Sequence, residues 1–191
     1  MEKYNHEHYS DPTPRVALGK VMKDQAELEA IGNVVQIIVD GEPVAQGRPR
    51  FARRGAFVSV RNPEKSKAYK QLIYTKVLGL LTSGKAKQFP KGHPLFAHII
   101  SYRHIPKDLK KKDREAAESG KLLPVTKPDT DNYIKIALDA LNKLLFRDDS
   151  AVTTVFAEKR YSRTPRMEIT VCSRYNGDCI KDLLSEAVEE R

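Results

Sequence analysis

Apolar residues first form a continuous pattern at residues 33–41, in the run NVVQIIVDG. The run is rich in β-branched side chains and closes on Asp40-Gly41, a dipeptide typical of turns. This combination predicts a β-strand. Four further runs also predict strands, at residues 56–60, 93–104, 151–162 and 166–173.

Helical periodicity appears between these strands. One helix is predicted to open after Asn62-Pro63 and to end at Ser83-Gly84. Its core face comprises Tyr69, Leu72, Ile73, Lys76, Val77, Leu80 and Leu81. A second helix is predicted to begin just after Asp131, which stands where an N-cap is expected. Its apolar face comprises Ile134, Ala137, Leu138, Leu141 and Leu145.

The order of elements indicates the fold class. With a solvated, charged helix at residues 107–121 and a C-terminal helix at residues 178–189, the order is β-β-α-β-α-α-β-β-α. This order predicts an α+β fold, a small mixed β-sheet packed with helices. We expect residues 31–191 to form a single domain, preceded by a loosely ordered polar extension at residues 1–30.

Charge and cysteine content limit the classes of protein to which the chain can belong. The 191 residues include 34 Lys and Arg against 25 Asp and Glu, a net charge of +9, which favours a polyanion such as nucleic acid as partner. Two cysteines, Cys172 and Cys179, are too few for a disulfide framework and lack the spacing of a zinc site. No apolar run is long enough to span a membrane, and no secretory signal begins the chain, so we expect a cytoplasmic protein.

Aspartates are concentrated in one stretch of this basic chain, KPDTDNYIKIALDALNKLLFRDDSAV at residues 127–152. Asp129 and Asp131 are one residue apart, so in an extended segment their side chains share a face and can approach one cation. Lys135 follows Asp131 by four residues, one helical turn. Asp148 and Asp149 come close to this pair only if the connection after the helix folds back across it.

Each acidic group also has an ordinary interpretation. Asp131 alone is more often a helix cap, Asp139 an exposed helical charge, and residues 148–150 a turn. Together, however, the carboxylates would repel each other and raise each other's pKa unless a cation neutralised them. An EF-hand is excluded, because Tyr133 and Ile134 occupy positions that require Asp or Asn and then Gly. Ligation by oxygen alone suits Mg²⁺ or Mn²⁺, which can activate water and stabilise the leaving oxygen of a phosphodiester.

The run KPDTDNYIKIALDAL, followed by RDDSAV, resembles the signature of the RusA family of Holliday junction resolvases. That signature has an Asp-x-Asp-Asn pair, a lysine four residues on, an Asp-Ala-Leu helix, and an Asp-Asp pair leading into a strand. The upstream GRPRF and NPEKSKAY segments resemble prophage-type members, and Lys159 falls where the family has a lysine on the next strand. The resemblance spans about residues 33–173.

The resemblance implies a homodimeric, Mg²⁺-dependent endonuclease of RusA-like fold, with Mn²⁺ as an alternative metal, that introduces paired nicks in four-way DNA junctions in a bacterial or phage-infected cell. The catalytic carboxylates would be Asp129, Asp131 and Asp149, with Asp148 as a further metal ligand and Lys135 stabilising phosphate charge. We expect these aspartates to converge on one metal site. Candidates for DNA backbone contacts are Lys159 and four arginines, Arg48, Arg50, Arg53 and Arg54, which are predicted to lie in a loop, punctuated by Gly and Pro, before the strand at residues 56–60.

Other function classes remain open. A metal-dependent nuclease that prefers flaps or forks would have the same motif, and no residue separates it from a junction resolvase. A non-catalytic junction-binding protein is disfavoured, because Asp129, Asp131, Lys135 and Asp149 are all present. A basic domain whose acidic pairs are only caps and turns is disfavoured by the ordered match to the signature.

Overall fold

The structure, a computed structural model, describes residues 32–47, 50–54, 57–61, 63–177 and 181, with the backbone alone for residues 50–54 and 57–61. The predicted N-terminal extension lies outside these residues, as do Cys179 and all but one residue of the predicted C-terminal helix. Among the helices of the described segments, none is long and apolar enough to cross a membrane.

The described elements confirm an α+β fold built on a mixed sheet. In chain order they are β1 Val34–Asp40, β2 Arg50–Arg54, β3 Phe57–Arg61, α1 Glu64–Thr82, β4 Leu95–His104, α2 Lys111–Glu118, α3 Thr130–Leu141, a 3-10 turn Asp149–Ala151, β5 Val152–Ser162 and β6 Arg166–Ser173. Four strands form one sheet in the order β1-β6-β4-β5. Strands β4 and β5 are parallel, and the other two pairings are antiparallel.

The core lies between one face of this sheet and two helices. Along β1, the inward residues Val35, Ile37 and Val39 are buried and alternate with exposed residues. Helix α1 buries Tyr69, Ile73 and Val77, and helix α3 covers the same core with Tyr133, Ile136, Ala137, Ala140 and Leu141. Burying an aliphatic or aromatic side chain of this size contributes about 1.5–3 kcal/mol. Helix α3 is therefore held by its apolar side.

Two details of the helices differ from the sequence prediction. Leu72, expected on the core face of α1, is 42% exposed, because the buried stripe of this helix is narrower than its apolar pattern. Helix α3 ends at Leu141 rather than Leu145, and Lys143 adopts a positive φ of 63° just beyond it. Leu145 is nonetheless buried, since the chain turns there and returns it to the core.

The arginine-rich segment was expected to be a loop, and this prediction is wrong for residues 50–54. They form β2, which pairs antiparallel with β3 in a separate two-stranded sheet, with Arg50 opposite Arg61 and Arg53 opposite Val58. Strand preference depends strongly on the partner strand, and a run of arginines carries little intrinsic signal for pairing. The arginines therefore lie on a hairpin.

The loop at residues 43–47, which comes before this hairpin in the chain, is bonded to the start of α3 and to α1. The Gln46 amide donates to the Asn132 carbonyl at 2.8 Å, and the Gly47 amide donates to Ser66 Oγ at 3.0 Å. Ser66 Oγ in turn donates to the Ala45 carbonyl at 3.1 Å. A Cβ on Gly47 would lie 2.6 Å from Pro63 Cγ, so the backbone passes too close to α1 for any side chain.

Replacing Gly47 with alanine should therefore destabilise the protein. We expect Gly47→Ala to lower the free energy of unfolding by about 1–3 kcal/mol, the usual cost of overpacking. The matched control is Gly79→Ala on α1, where a Cβ meets nothing within 4 Å and should add roughly 0.5–1 kcal/mol of helix stability. Urea unfolding measures both changes, and equal effects would contradict the close approach at Gly47.

Candidate functional site

The first acidic pair flanks the start of α3. Asp129, not Asp131, is the N-cap: its backbone is extended, with φ −74° and ψ 151°, and its carboxylate makes no capping hydrogen bond. Asp131 lies one residue inside the helix, in the first turn. The expectation that both carboxylates lie on one extended segment is therefore wrong. A carboxylate in the first turn is instead favoured by the helix dipole.

Asp131 and Lys135 form an ion pair one helical turn apart. Lys135 Nζ donates to Asp131 Oδ2 at 2.9 Å, and Asn132 Nδ2 donates to Oδ1 at 3.2 Å. Both members are exposed, at 58% for Asp131 and 61% for Lys135. The hydrogen bond from Lys135 is the main reason that the pKa of Asp131 lies below its usual value. The pKa of Asp131 is therefore shifted chiefly by Lys135 and not by repulsion from a neighbouring carboxylate.

The segment that carries Asp129 is fastened to the sheet. Lys159 Nζ on β5 donates to the carbonyl oxygens of Thr126 and Pro128, both at 3.1 Å. Arg103 Nη1, at the end of β4, donates to Thr126 Oγ1 at 3.1 Å. The half-buried Lys159 therefore directs its ammonium at the chain itself. Its expected role as a DNA contact remains untested, and these hydrogen bonds favour a positioning role.

The second acidic pair lies at the opposite end of α3. Asp148 and Asp149 are exposed, and Asp149 begins the 3-10 turn that precedes β5. Asp148 Oδ1 accepts a hydrogen bond from the Ser150 amide at 3.0 Å. Hydrogen bonding to Ser150 is the main reason that the pKa of Asp148 lies below its usual value. Each acidic pair therefore contains one carboxylate whose pKa lies below its usual value.

Two measures give the separation of the acidic pairs. Helix α3 has 12 residues, which corresponds to a length of about 18 Å. Strand β5 begins just after Asp149, and its Lys159 reaches Pro128 only after about 23 Å of extended chain. Among the described residues, no three His, Cys, Asp or Glu side chains are grouped closely enough to hold a metal ion. Within one chain, Asp149 therefore does not join Asp129 and Asp131, contrary to expectation.

The structure describes the remaining candidate site residues only in part. The hairpin that carries Arg50, Arg53 and Arg54 begins four residues after Gln46, whose amide is bonded to the Asn132 carbonyl. The side chains of these arginines, and Arg48 as a whole, lie outside the described part of the chain, and their DNA contacts stay predictions. Arg103, which donates to Thr126, was not predicted as a site residue.

The ion pair at the start of α3 predicts how Asp131 titrates. Because Lys135 is the main cause of the lowered pKa, Lys135→Met should raise the pKa of Asp131 towards the ordinary value of about 4. A lowered pKa in the folded state stabilises the fold above the unfolded value, and that contribution disappears as pH falls through the folded value. Carboxyl NMR titration measures the shift. The control is Asp148, whose pKa depends chiefly on Ser150 and should not move.

Comparison with known proteins identifies the family to which the chain is similar. Residues 40–172 match the family described as "Endodeoxyribonuclease RusA". A Bacillus subtilis (strain 168) protein named "Uncharacterized protein YqaN" is 42% identical over 139 residues, which are 72% of this chain and 94% of that protein. The family match extends from the end of β1 into β6 and includes both acidic pairs. The chain therefore belongs to the RusA endodeoxyribonuclease family.

Proposed function

We propose that the protein is a homodimeric, divalent-metal-dependent endodeoxyribonuclease that resolves four-way DNA junctions by paired, symmetric nicks, during recombination and repair in the cytoplasm of a bacterial or phage-infected cell. The observation that carries the proposal is the exposed Asp131–Lys135 pair at the start of α3, within the span that matches the family. A dimer suits this substrate, because two equivalent strands are cut by two equivalent sites.

The acidic residues supply the donors for the metal. Asp129, Asp131 and Asp149 would be the ligands, with Asp148 beside them, and carboxylate oxygens are the donors that Mg²⁺ and Mn²⁺ prefer. Such an ion, when bound, activates a water molecule and stabilises the leaving oxygen. The donor chemistry of these residues fits the ion, but their spacing within one chain does not.

Lys135 would stabilise negative charge on the phosphate that is cut. Its ammonium is exposed and held 2.9 Å from Asp131, so it is already positioned beside the carboxylate. A DNA phosphate that approaches this end of α3 competes with Asp131 for the same ammonium. Exposure also keeps the cost of this exchange small, because water screens surface ion pairs and they contribute little to stability.

Binding of the DNA backbone would rely on the net charge of +9 and on the arginine hairpin. Arg48, Arg50, Arg53 and Arg54 are the candidates for phosphate contacts. The hydrogen bond between Gln46 and Asn132 holds the loop that precedes this hairpin against the start of α3. Phosphates bound by the hairpin would thus be delivered near the first acidic pair.

A cleavage assay tests the function directly. We expect wild-type protein with Mg²⁺ to introduce paired nicks in a labelled four-way junction. EDTA or Asp131→Asn should lower the nicking rate at least about 100-fold, because metal chemistry supplies several kcal/mol of the barrier reduction. The exposed Asp108→Asn, in the segment before α2, is the control and should retain activity.

Linear duplex, flap and fork substrates complete this experiment. Cleavage confined to flaps or forks would support a nuclease activity but would show that the four-way junction is not its substrate. Binding to the junction without cleavage in any divalent metal would contradict the proposal and favour a junction-binding protein.

The anchoring of Asp129 by Lys159 makes a separate prediction. Lys159→Met removes both hydrogen bonds to the 126–128 segment, so turnover should fall roughly 10-fold to 100-fold through misplacement of Asp129, while junction affinity changes less than about threefold. The exposed Lys121→Met has the same charge change and should affect neither quantity. A parallel loss of affinity and turnover would make Lys159 a DNA contact instead.

A further inference from the structure

Val125 is the most exposed large apolar residue in the described part of the chain. It is 93% exposed, whereas the next, Ile38, is 50% exposed. Leu123, two residues before Val125, is 48% exposed, and Pro124 between them is buried. Leu123 and Val125 therefore form an apolar tip in the segment between α2 and α3.

Hydrogen bonds fasten the chain on both sides of this apolar tip. Before it, the Leu122 amide donates to the Ala116 carbonyl at 3.0 Å. After it, Thr126 is held at 3.1 Å by Lys159 Nζ through its carbonyl and by Arg103 Nη1 through its hydroxyl. Single exposed apolar side chains are common on protein surfaces and usually need no explanation. Here, however, a fastened segment holds a valine out in solvent, where a binding partner would bury it.

The charges beside the apolar tip favour DNA as this partner. Residues 119–128 include Lys121 and Lys127, which are both exposed, and no acidic residue. Each lysine lies two residues from the tip, one on either side. Such cations suit the phosphates of a DNA backbone, whereas the buried centre of a protein–protein interface is depleted in lysine.

The apolar tip is also close to the first acidic pair along the chain. Val125 precedes Asp129 by four residues, so their Cα atoms are at most about 14 Å apart. Successive bases of one DNA strand are about 3.4 Å apart along the duplex. A base that contacts the tip therefore lies within about four steps of a phosphate at Asp129.

We propose that the apolar tip is a wedge, which enters the branch point of a four-way junction and unstacks the bases next to the phosphate that is cut. Apolar side chains inserted between bases unstack and kink DNA, and unstacking costs least where pairing is already disturbed. The β-branched side chain of Val125 is stiff, so insertion restricts it little further. The inference rests on the proposed nuclease function and deepens it, because it names the residues that distinguish a branched substrate from linear duplex.

A groove beside the apolar tip offers space for an unstacked base. Leu123 lines this groove, whose volume is about 950 Å³, together with Tyr102, Tyr161 and Arg163. Aromatic rings and guanidinium groups stack on bases of any sequence. Arg163 is ion-paired with Glu118 at 2.6 Å, which lowers its attraction for a phosphate. The groove therefore suits a base better than it suits the DNA backbone.

A four-way junction that carries 2-aminopurine at the branch point tests the wedge, because this base fluoresces more strongly when it is unstacked. The measurement uses Asp131→Asn protein, which should bind the junction without cutting it. Saturating protein should raise the fluorescence at least about twofold, and adding Val125→Ser should remove most of this rise. Junction affinity should change less than about threefold, because phosphate contacts supply most of it.

Two variants are matched controls for this substitution. Val34→Ser makes the same change at a residue that is 40% exposed, and it should leave the fluorescence rise intact. Val34 lies far from the tip, because it pairs with Cys172, which pairs with Phe96 at the start of β4. The tip is instead bonded to Arg103, near the other end of that strand. Val125→Leu keeps an apolar side chain and should retain the rise.

Cleavage gives a second measurement that a merely structural role of Val125 would not explain. On a fully paired junction, Val125→Ser alone should lower the nicking rate roughly 10-fold, because the phosphate is then misplaced. A junction with unpaired nucleotides at its branch point no longer needs to be opened. On that substrate, nicking by Val125→Ser should come within about threefold of wild type.

Several outcomes would overturn the wedge. They are a bound junction whose fluorescence does not rise, an equal rise with Val125→Ser, and equal defects of Val125→Ser on paired and opened junctions. A lower oligomeric mass of Val125→Ser in sedimentation equilibrium would also overturn it, because the tip would then be a contact between copies of the chain.

The same measurements separate the wedge from the nuclease function. Wild type that binds and unstacks the junction but never cuts it would support the wedge and refute the nuclease function. Wild type that cuts the junction without unstacking it would refute the wedge and support the nuclease function. Absence of junction binding would refute both.

Discussion

Helix α3 must bury one side against the sheet and α1 while its other side stays charged, and this constraint determines where each acidic residue lies. Tyr133, Ile136 and Leu141 fix the helix along its length, so its ends cannot move independently of the core. Carboxylates at the two ends are thereby held apart at the distance of three helical turns. The core therefore holds the two acidic pairs apart rather than in one cluster.

The sequence was sufficient to predict the strands and helices whose pattern of apolar residues is strongly periodic. Strand β6 has the limits expected for it, and β1, β4, β5 and α1 differ from expectation by a few residues at most. These elements bury one face, and burial imposes the regular pattern that the sequence shows. Strand β2 was missed because three of its five residues are arginines, whose pairing depends on the neighbouring strand rather than on their own preference.

The candidate site was predicted less completely, for reasons of geometry. The sequence identified Asp131 and Lys135 as neighbours, because a spacing of four residues in a helix fixes their contact. It could not give the distance from Asp149, which depends on how the chain returns after α3. The anchoring by Lys159 had one available signal: strand alternation places it on the same side as Ala157, on the core face, where a charged residue needs polar partners.

A basic protein that concentrates carboxylates must keep them ionised before any cation arrives. Lys135 lowers the pKa of Asp131, and hydrogen bonding to Ser150 lowers the pKa of Asp148, so each acidic pair contains one carboxylate whose pKa lies below its usual value. Protons then do not compete with a metal ion near neutral pH. Because Asp131 and Lys135 are both exposed, their ion pair is weak enough to be exchanged. Under the proposed function, Lys135 would exchange this carboxylate for a phosphate of the DNA.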